Sequence, residues 1–144
     1  MKKEVLFLCT HNSARSQIAE GLLRHLGGTM FTAYSAGTEA TFIRPLAIKV
    51  MQEIDIDISG QKSKTLDRYL DKPIDEVITV CDNANESCPI FPKAKNRRHW
   101  SFPDPSKAQG TEEEQAMVYR KVRDAIKERI EKELLSNTLP VVLP

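Results

Sequence analysis

Apolar residues crowd the start of the chain, where Val5, Leu6, Phe7 and Leu8 follow Glu4 without a break. So short an unbroken run suits a strand buried on both faces. The period then changes: Ile18, Ala19, Leu22, Leu23 and Leu26 recur at helical spacing, and Gly27-Gly28 stops the helix. Residues 31–36 read as a second strand ended by Gly37. Pro45 fits the first turn of a helix carrying Leu46, Ile48, Val50, Met51 and Ile54, and residues 65–70 suit a shorter one. Residues 74–80 form the best later strand, with Ile74, Val77, Ile78 and Val80 apolar and Cys81 next. Residues 98–102 are a weak last strand. Thr111-Glu112-Glu113-Glu114 has the form of a capping box and opens the longest helix. Val118, Val122, Ile126, Ile130 and Leu134 predict its buried stripe.

Strands alternating with helices predict a small α/β domain with a mostly parallel sheet. Its expected extent is residues 1–135. Residues 136–144, with prolines at 140 and 144, form a tail expected not to continue the helix.

Composition narrows the function classes. A chain of 144 residues holds one core. The formal net charge of +1 supplies no strong field for nucleic acid or an anionic membrane, so neither is an expected partner. No apolar stretch reaches bilayer length, and the run after Met1 is too short for a signal-peptide core. The expectation is therefore a cytoplasmic protein, and a monomer. Cytosolic thiols stay reduced, so Cys9, Cys81 and Cys88 are expected to do chemistry rather than staple the fold.

Cys9-Thr10-His11-Asn12-Ser13-Ala14-Arg15-Ser16 joins the first strand to the first helix. Ligands of open parallel sheets bind at the carboxyl ends of strands, and a strand-loop-helix turn there aims backbone N–H groups at an anion. That potential favours a Cys9 thiolate, hence a nucleophile. Arg15 has the planar fork to hold two oxygens of a tetrahedral oxyanion, and Ser16 can donate to the Cys9 sulfur. Asn12 tolerates a left-handed backbone. His11 is expected to point to solvent. The whole segment, Thr10 to Ser16, is the expected oxyanion-binding set. Its Cys-x5-Arg-Ser pattern resembles the phosphate-binding loop of protein tyrosine phosphatases.

Chemistry of that kind needs a proton donor for the departing oxygen, and Asp104, in Phe102-Pro103-Asp104-Pro105, is the candidate general acid. Cys81 follows a strand expected to lie beside the first, which would bring Cys9 and Cys81 out at one sheet edge. The six residues between Cys81 and Cys88 fit neither zinc-ligand spacing nor a Cys-x-x-Cys redox pair, and no metal is expected.

The chain as a whole resembles the thioredoxin-coupled arsenate reductases of the low-molecular-weight tyrosine phosphatase-like superfamily. The likeness rests on the Cys9 loop, Ser-Gln-Ile-Ala-Glu-Gly after it, Tyr34-Ser35-Ala36-Gly37, Ile56-Asp57-Ile58-Ser59, Cys81 and Cys88, His99-Trp100 and Asp104-Pro105. It implies a three-layer sandwich around a four-stranded parallel sheet. It also implies a mechanism: Cys9 attacks arsenate held by Arg15 while Asp104 protonates the leaving oxygen. Cys81 then attacks the Cys9 sulfur and releases arsenite, Cys88 takes over the disulfide, and thioredoxin reduces it. If residues 81–88 were helical, their ends would lie about 10 Å apart at ~1.5 Å per residue. A disulfide needs roughly 7 Å or less, so that segment is expected to bend or unwind.

Some relatives bind potassium beside the loop through groups corresponding to Asn12, Glu20, Ser35 and an aspartate. Lys64 stands where the aspartate would be, which argues against a potassium site; its ammonium can supply the charge instead. A low-molecular-weight tyrosine phosphatase is the nearest rival reading. Those enzymes usually carry a tyrosine soon after Asp-Pro, where this chain has Ser106-Lys107, and they lack the Cys81/Cys88 pair. An oxyanion-sensing module would need a broken catalytic set, and Cys9, Arg15 and Asp104 are all present. Weak phosphatase activity is expected alongside reduction. Glutaredoxin with glutathione, or mycothiol, are the other candidate reductants. His25 and His99 are expected to be structural, and Trp100 a core residue.

Overall fold

The computed structural model describes residues 2–81 and 91–136. Strand β1 (Lys3–Cys9) leads through helix α1 (Arg15–Gly27) to β2 (Phe31–Gly37). Helix α2 (Pro45–Gln52) and a 3-10 turn (Leu66–Tyr69) precede β3 (Glu76–Thr79). Strand β4 (Asn96–His99), a 3-10 turn (Pro105–Lys107) and helix α3 (Glu112–Ile130) follow. The four strands form one sheet in the order β2-β1-β3-β4, every pair parallel. Val5, Leu6, Phe7 and Leu8 of β1 are at most 1% exposed, because both neighbouring strands and helices cover them. This is the four-stranded parallel α/β sandwich that the sequence implies.

The topology sets up the site. From β1 the chain passes to β2 on one side, then crosses back to β3 on the other. Strand order therefore reverses at β1, and the crevice at the carboxyl ends of β1 and β3 is where such sheets bind ligands. Leu8 pairs with Thr79, and the Val80 N–H donates to the Leu8 carbonyl at 2.8 Å. Continued by two residues, that register sets Cys81 beside Thr10, next in the chain after Cys9.

Two elements depart from the sequence expectation. The last strand lies at Asn96–His99 rather than 98–102. An edge strand needs no apolar alternation, and Trp100 and Phe102 leave the sheet to be buried elsewhere. Trp100 is 1% exposed, with its ring centroid 6.0 Å from that of Phe7. Its Nε1–H donates to Glu133 at 3.2 Å, and the Arg129 guanidinium lies 5.5 Å over the ring. On α3 the stripe is Ala116, Tyr119, Val122, Ile126 and Ile130, and Val118 is only half-buried. A strict four-residue repeat drifts about 40° per step around an α-helix. The wider π turn at Glu131–Leu135 slows that rotation and brings Leu134 back to the buried face. The capping box at Thr111 and Glu114 is formed in both directions. No helix among the described residues is long and apolar enough to cross a membrane.

Helix α1 lies close against the segment around Ile58. A Cβ built on Gly21 would stand 2.5 Å from Ile58 Cγ2 and 3.3 Å from Met51 Cε, and both of those side chains are fully buried. Alanine at this helical position gains about 1 kcal/mol of intrinsic propensity, whereas overpacking a core costs about 1–3 kcal/mol. Gly21→Ala should therefore be net destabilising, read as a lower urea midpoint with an unchanged slope.

Candidate active site

The segment from Thr10 to Ala14 curls into a bowl at the end of β1. Every carbonyl from Thr10 to Ser13 is bound from outside. Thr10 O accepts from Glu39 N (2.9 Å) and Thr38 Oγ1 (3.2 Å). His11 O accepts from Thr41 Oγ1 (3.2 Å) and Ser63 Oγ (3.0 Å). Asn12 O accepts from Gln17 Nε2 (3.0 Å), and Ser13 O from Arg44 N (2.9 Å). In a trans peptide the N–H points opposite to the carbonyl before it. Carbonyls turned outward therefore turn the N–H groups of residues 11–14 inward, toward an anion-sized space.

That curl requires Asn12 in the left-handed region, at φ 49°. Its side chain secures it: Oδ1 accepts from Lys64 N at 2.8 Å, and Nδ2 donates to Ser16 Oγ at 2.7 Å. The loop also rests on Gly37, where a Cβ would come within 2.6 Å of Thr10 O and 2.8 Å of Asn12 N. Only glycine leaves room for the loop backbone to approach so closely.

Cys9, 3% exposed, sits at the base with its sulfur 2.8 Å from Ser16 Oγ. Arg15 opens α1 and lines the cavity, its Nη1 donating to Phe102 O at 3.1 Å and its Nη2 lying 3.6 Å from Asp104 Oδ2. Asp104 Oδ1 accepts from both the backbone N–H (2.9 Å) and the hydroxyl (2.7 Å) of Ser106. Burial pushes the Asp104 carboxyl up, but the two Ser106 hydrogen bonds and the charges of Arg15 and Lys107 outweigh it, and Asp104 titrates below its ordinary value. Cys81, also 3% exposed, enters from the β3 side, its sulfur 3.5 Å from Thr10 Oγ1. Thr10, His11, Arg15, Cys81, Asp104 and Lys107 line a cavity of about 560 Å³.

Behind the loop, Glu20 is buried and accepts from Ser35 Oγ at 2.5 Å, with Lys64 Nζ at 3.6 Å and Arg24 alongside. Burial lowers the Lys64 ammonium below its ordinary value, while Glu20 pulls it the other way. Lys64 thus points into the Asn12–Glu20–Ser35 neighbourhood.

The structure brings Arg15, Cys81 and Asp104 to one cavity with Thr10 and His11, while Cys9 is buried against Ser16 at the end of β1 and Asn12, Ser13 and Ala14 complete the loop without lining that cavity. Cys88, and the geometry expected for residues 81–88, lie outside the described residues. His11 is exposed to solvent, as expected, and stands at the rim of the cavity with its Nε2 3.3 Å from Glu39. His99 is held by Thr79 Oγ1, 2.7 Å from its Nδ1. Sequence reasoning gave no role to Ser106, Lys107 or Gln17. Asp-Pro-Ser carries the signal for the first, since a serine two residues after an aspartate closes a local turn on it.

The model of the low molecular weight phosphotyrosine protein phosphatase family matches residues 4–139. An arsenate reductase of Halalkalibacterium halodurans is 50% identical over 129 residues, covering 90% of this chain and 93% of that one. Among solved structures, an arsenate reductase in its phosphate-binding state superposes with a TM-score of 0.80 at 34% identity, over 93% of this chain and 98% of that chain. A thioredoxin-dependent arsenate reductase of Corynebacterium glutamicum gives 0.69 at 29% identity, over 94% of this chain and 63% of that one. Fold, loop and sequence thus agree: the chain belongs to the low molecular weight phosphotyrosine protein phosphatase family, among its arsenate reductases.

Proposed function

We propose that the chain reduces arsenate to arsenite by a relay through Cys9, Cys81 and Cys88, with thioredoxin as the reductant. The observation that carries this reading is the second thiol: Cys81 opens into the same cavity as Arg15 and Asp104, against Thr10 of the loop that holds Cys9. A phosphatase has no use for a cysteine there. The relatives that act on arsenate, and the thioredoxin dependence of the Corynebacterium protein, support the substrate and the donor.

The tetrahedral anion enters the bowl of N–H groups and draws the Arg15 fork away from Phe102 and Asp104. The added negative charge and the loss of Arg15 both raise the proton affinity of Asp104, so the carboxyl that is ionised in the free protein gains the proton it must give. Cys9 Sγ bonds to arsenic, and a protonated oxygen leaves as water. Cys81 then attacks Cys9 Sγ; the electron pair of the S–As bond stays on arsenic, which departs as arsenite, and a Cys9–Cys81 disulfide remains. Cys88 attacks Cys81, restoring Cys9 as a thiolate. Two electrons from a thioredoxin dithiol reduce the Cys81–Cys88 bond and close the cycle. Lys64 supplies beside Glu20 the positive charge that a potassium ion would otherwise carry. The setting is the cytoplasm, the working unit a monomer, and the same loop gives weak phosphatase activity.

Arsenate-dependent NADPH oxidation with thioredoxin and thioredoxin reductase tests the relay. Cys9→Ser, Cys81→Ser and Cys88→Ser should each abolish turnover, while phosphatase activity survives in the last two. Turnover that persists without Cys88, or appears only with glutathione, would replace thioredoxin by another route. Asp104→Asn separates binding from chemistry. Near neutral pH it should bind phosphate more tightly, having lost a like charge, yet form the Cys9 adduct roughly 100-fold more slowly, at the low end of general-acid effects. Gly37→Ala should weaken phosphate binding by at least about tenfold in calorimetry, since the methyl displaces Thr10 and Asn12. Finally, potassium added to a sodium-free assay should leave the rate unchanged, and strong stimulation would remove Lys64 from its role.

A further inference from the structure

Behind Cys9 runs a line of hydrogen bonds whose every donor points the same way. Arg24 Nη1 donates to Gln61 Oε1 (2.8 Å), and Gln61 Nε2 donates to Gln17 Oε1 (2.7 Å). Gln17 Nε2 donates to Asn12 Oδ1 (2.8 Å), and Asn12 Nδ2 to Ser16 Oγ (2.7 Å). Ser16 Oγ lies 2.8 Å from Cys9 Sγ. That oxygen accepts from Asn12, which leaves its own proton available to the sulfur.

The direction is fixed at every amide by a group that cannot turn round. Asn12 Oδ1 also accepts from the backbone N–H of Lys64, so its NH₂ must face Ser16. Gln17 Nε2 also faces the carbonyls of Asn12 and Lys62, at 3.0 and 2.9 Å, so its oxygen must face Gln61. Gln61 Nε2 also donates to the Gln17 carbonyl at 3.1 Å, and its oxygen faces a guanidinium that can only donate. Flipping Gln17 or Gln61 would set oxygen against oxygen, and flipping Asn12 would set its NH₂ against two other N–H donors.

Asn12, Ser16 and Gln17 are fully buried. In such surroundings consecutive hydrogen bonds polarise one another, each making the next donor stronger. A donor aimed at a sulfur favours its charged form. We propose that Gln17 and Gln61 are positioning residues of the nucleophile: acting through Asn12 and Ser16, they aim a one-way line of donors, headed by Arg24, at Cys9 and hold it as thiolate. The inference rests on the reading of Cys9 as the attacking group, and adds residues 8 and 52 positions away in sequence that never touch the substrate.

Other charges act on the same sulfur. Arg15 on α1, Asp104 and Lys107 after β4, and Cys81 after β3 face the cavity. His11 and Glu39 stand at its rim, and Lys64 with Glu20 lies behind Asn12. Apart from Cys81, replaced alike in parent and variants, none of these is changed below, so a shift shared by the uncharged Gln61→Met and Gln17→Met variants belongs to the line of amides.

The test is the pH dependence of Cys9 alkylation by iodoacetamide, followed by mass spectrometry in a Cys81→Ser, Cys88→Ser background, where Cys9 is the only thiol left of three. Gln61→Met keeps the length of the side chain and removes its donor; Gln61→Glu keeps an acceptor for Arg24 and also removes the donor. Both should move the profile to higher pH, slowing alkylation on the low-pH side about threefold to tenfold, the effect of one net hydrogen bond, and leaving the high-pH plateau unaltered. Gln17→Met should shift it further. Profiles that superimpose on the parent overturn the proposal, and so does a uniform slowing at all pH values, which is what a packing role predicts. Should Gln17→Met fail to fold by circular dichroism, the half-buried Gln61 decides alone. No arsenate is present, so failure of the relay would appear in the turnover assay and failure of the amide line only here.

Discussion

A peptide carbonyl turned outward is the interaction on which this site depends. Between Thr10 and Ser13 the chain gives up every carbonyl to a partner outside the bowl, and the N–H groups face inward as a geometric consequence. The partners come from several parts of the fold: the segment after β2, the stretch around Ser63, and α1 itself. An anion site of this kind is charged by dipoles rather than by lysines, which is how a chain of net charge +1 can carry one. The arrangement also explains the density of polar groups buried around α1, where Asn12, Ser16, Gln17 and Glu20 are all at most 5% exposed. Each is satisfied, so their burial costs little and fixes the backbone they bind.

The sheet contributes placement. Reversal of strand order at β1 puts β3 next to it, and that one adjacency brings a second cysteine to the mouth of the bowl. Cys9 and Cys81 are 72 positions apart in sequence, yet their strands are locked in register by backbone hydrogen bonds up to Leu8 and Val80. Cys81 is thus positioned two residues beyond the end of β3, the strand paired with β1. Asp104 comes from a loop past the edge strand, tied down by Arg15 and Ser106.

Much of this was legible in the sequence, for identifiable reasons. Buried strands and α1 announce themselves because apolar period reports burial directly. Cys9 and Arg15 stood out because their loop falls between an apolar strand and a helix, and Asp104 because of that loop and the family resemblance, since Asp-Pro alone reads as a turn. Strand β4 starts two residues earlier than expected because an edge strand carries no apolar signature: Trp100 and Phe102 drew the expected strand to 98–102, whereas the backbone that pairs with β3 is Asn96–His99. Gln17 and Gln61 were silent for a different reason. A glutamine on a helix and another in a loop look like surface residues, and only folding reveals that each amide has a single orientation it can adopt.

Trp100 is the only tryptophan of the chain, buried against Phe7, hydrogen-bonded through its indole to Glu133 and capped by Arg129. Four residues later comes Asp104. An indole's emission responds to nearby charge and to its hydrogen bond, so this ring is an optical gauge four residues from Asp104. Any displacement of that segment large enough to disturb the ring's contacts would be readable in unlabelled protein on the timescale of a rapid-mixing experiment.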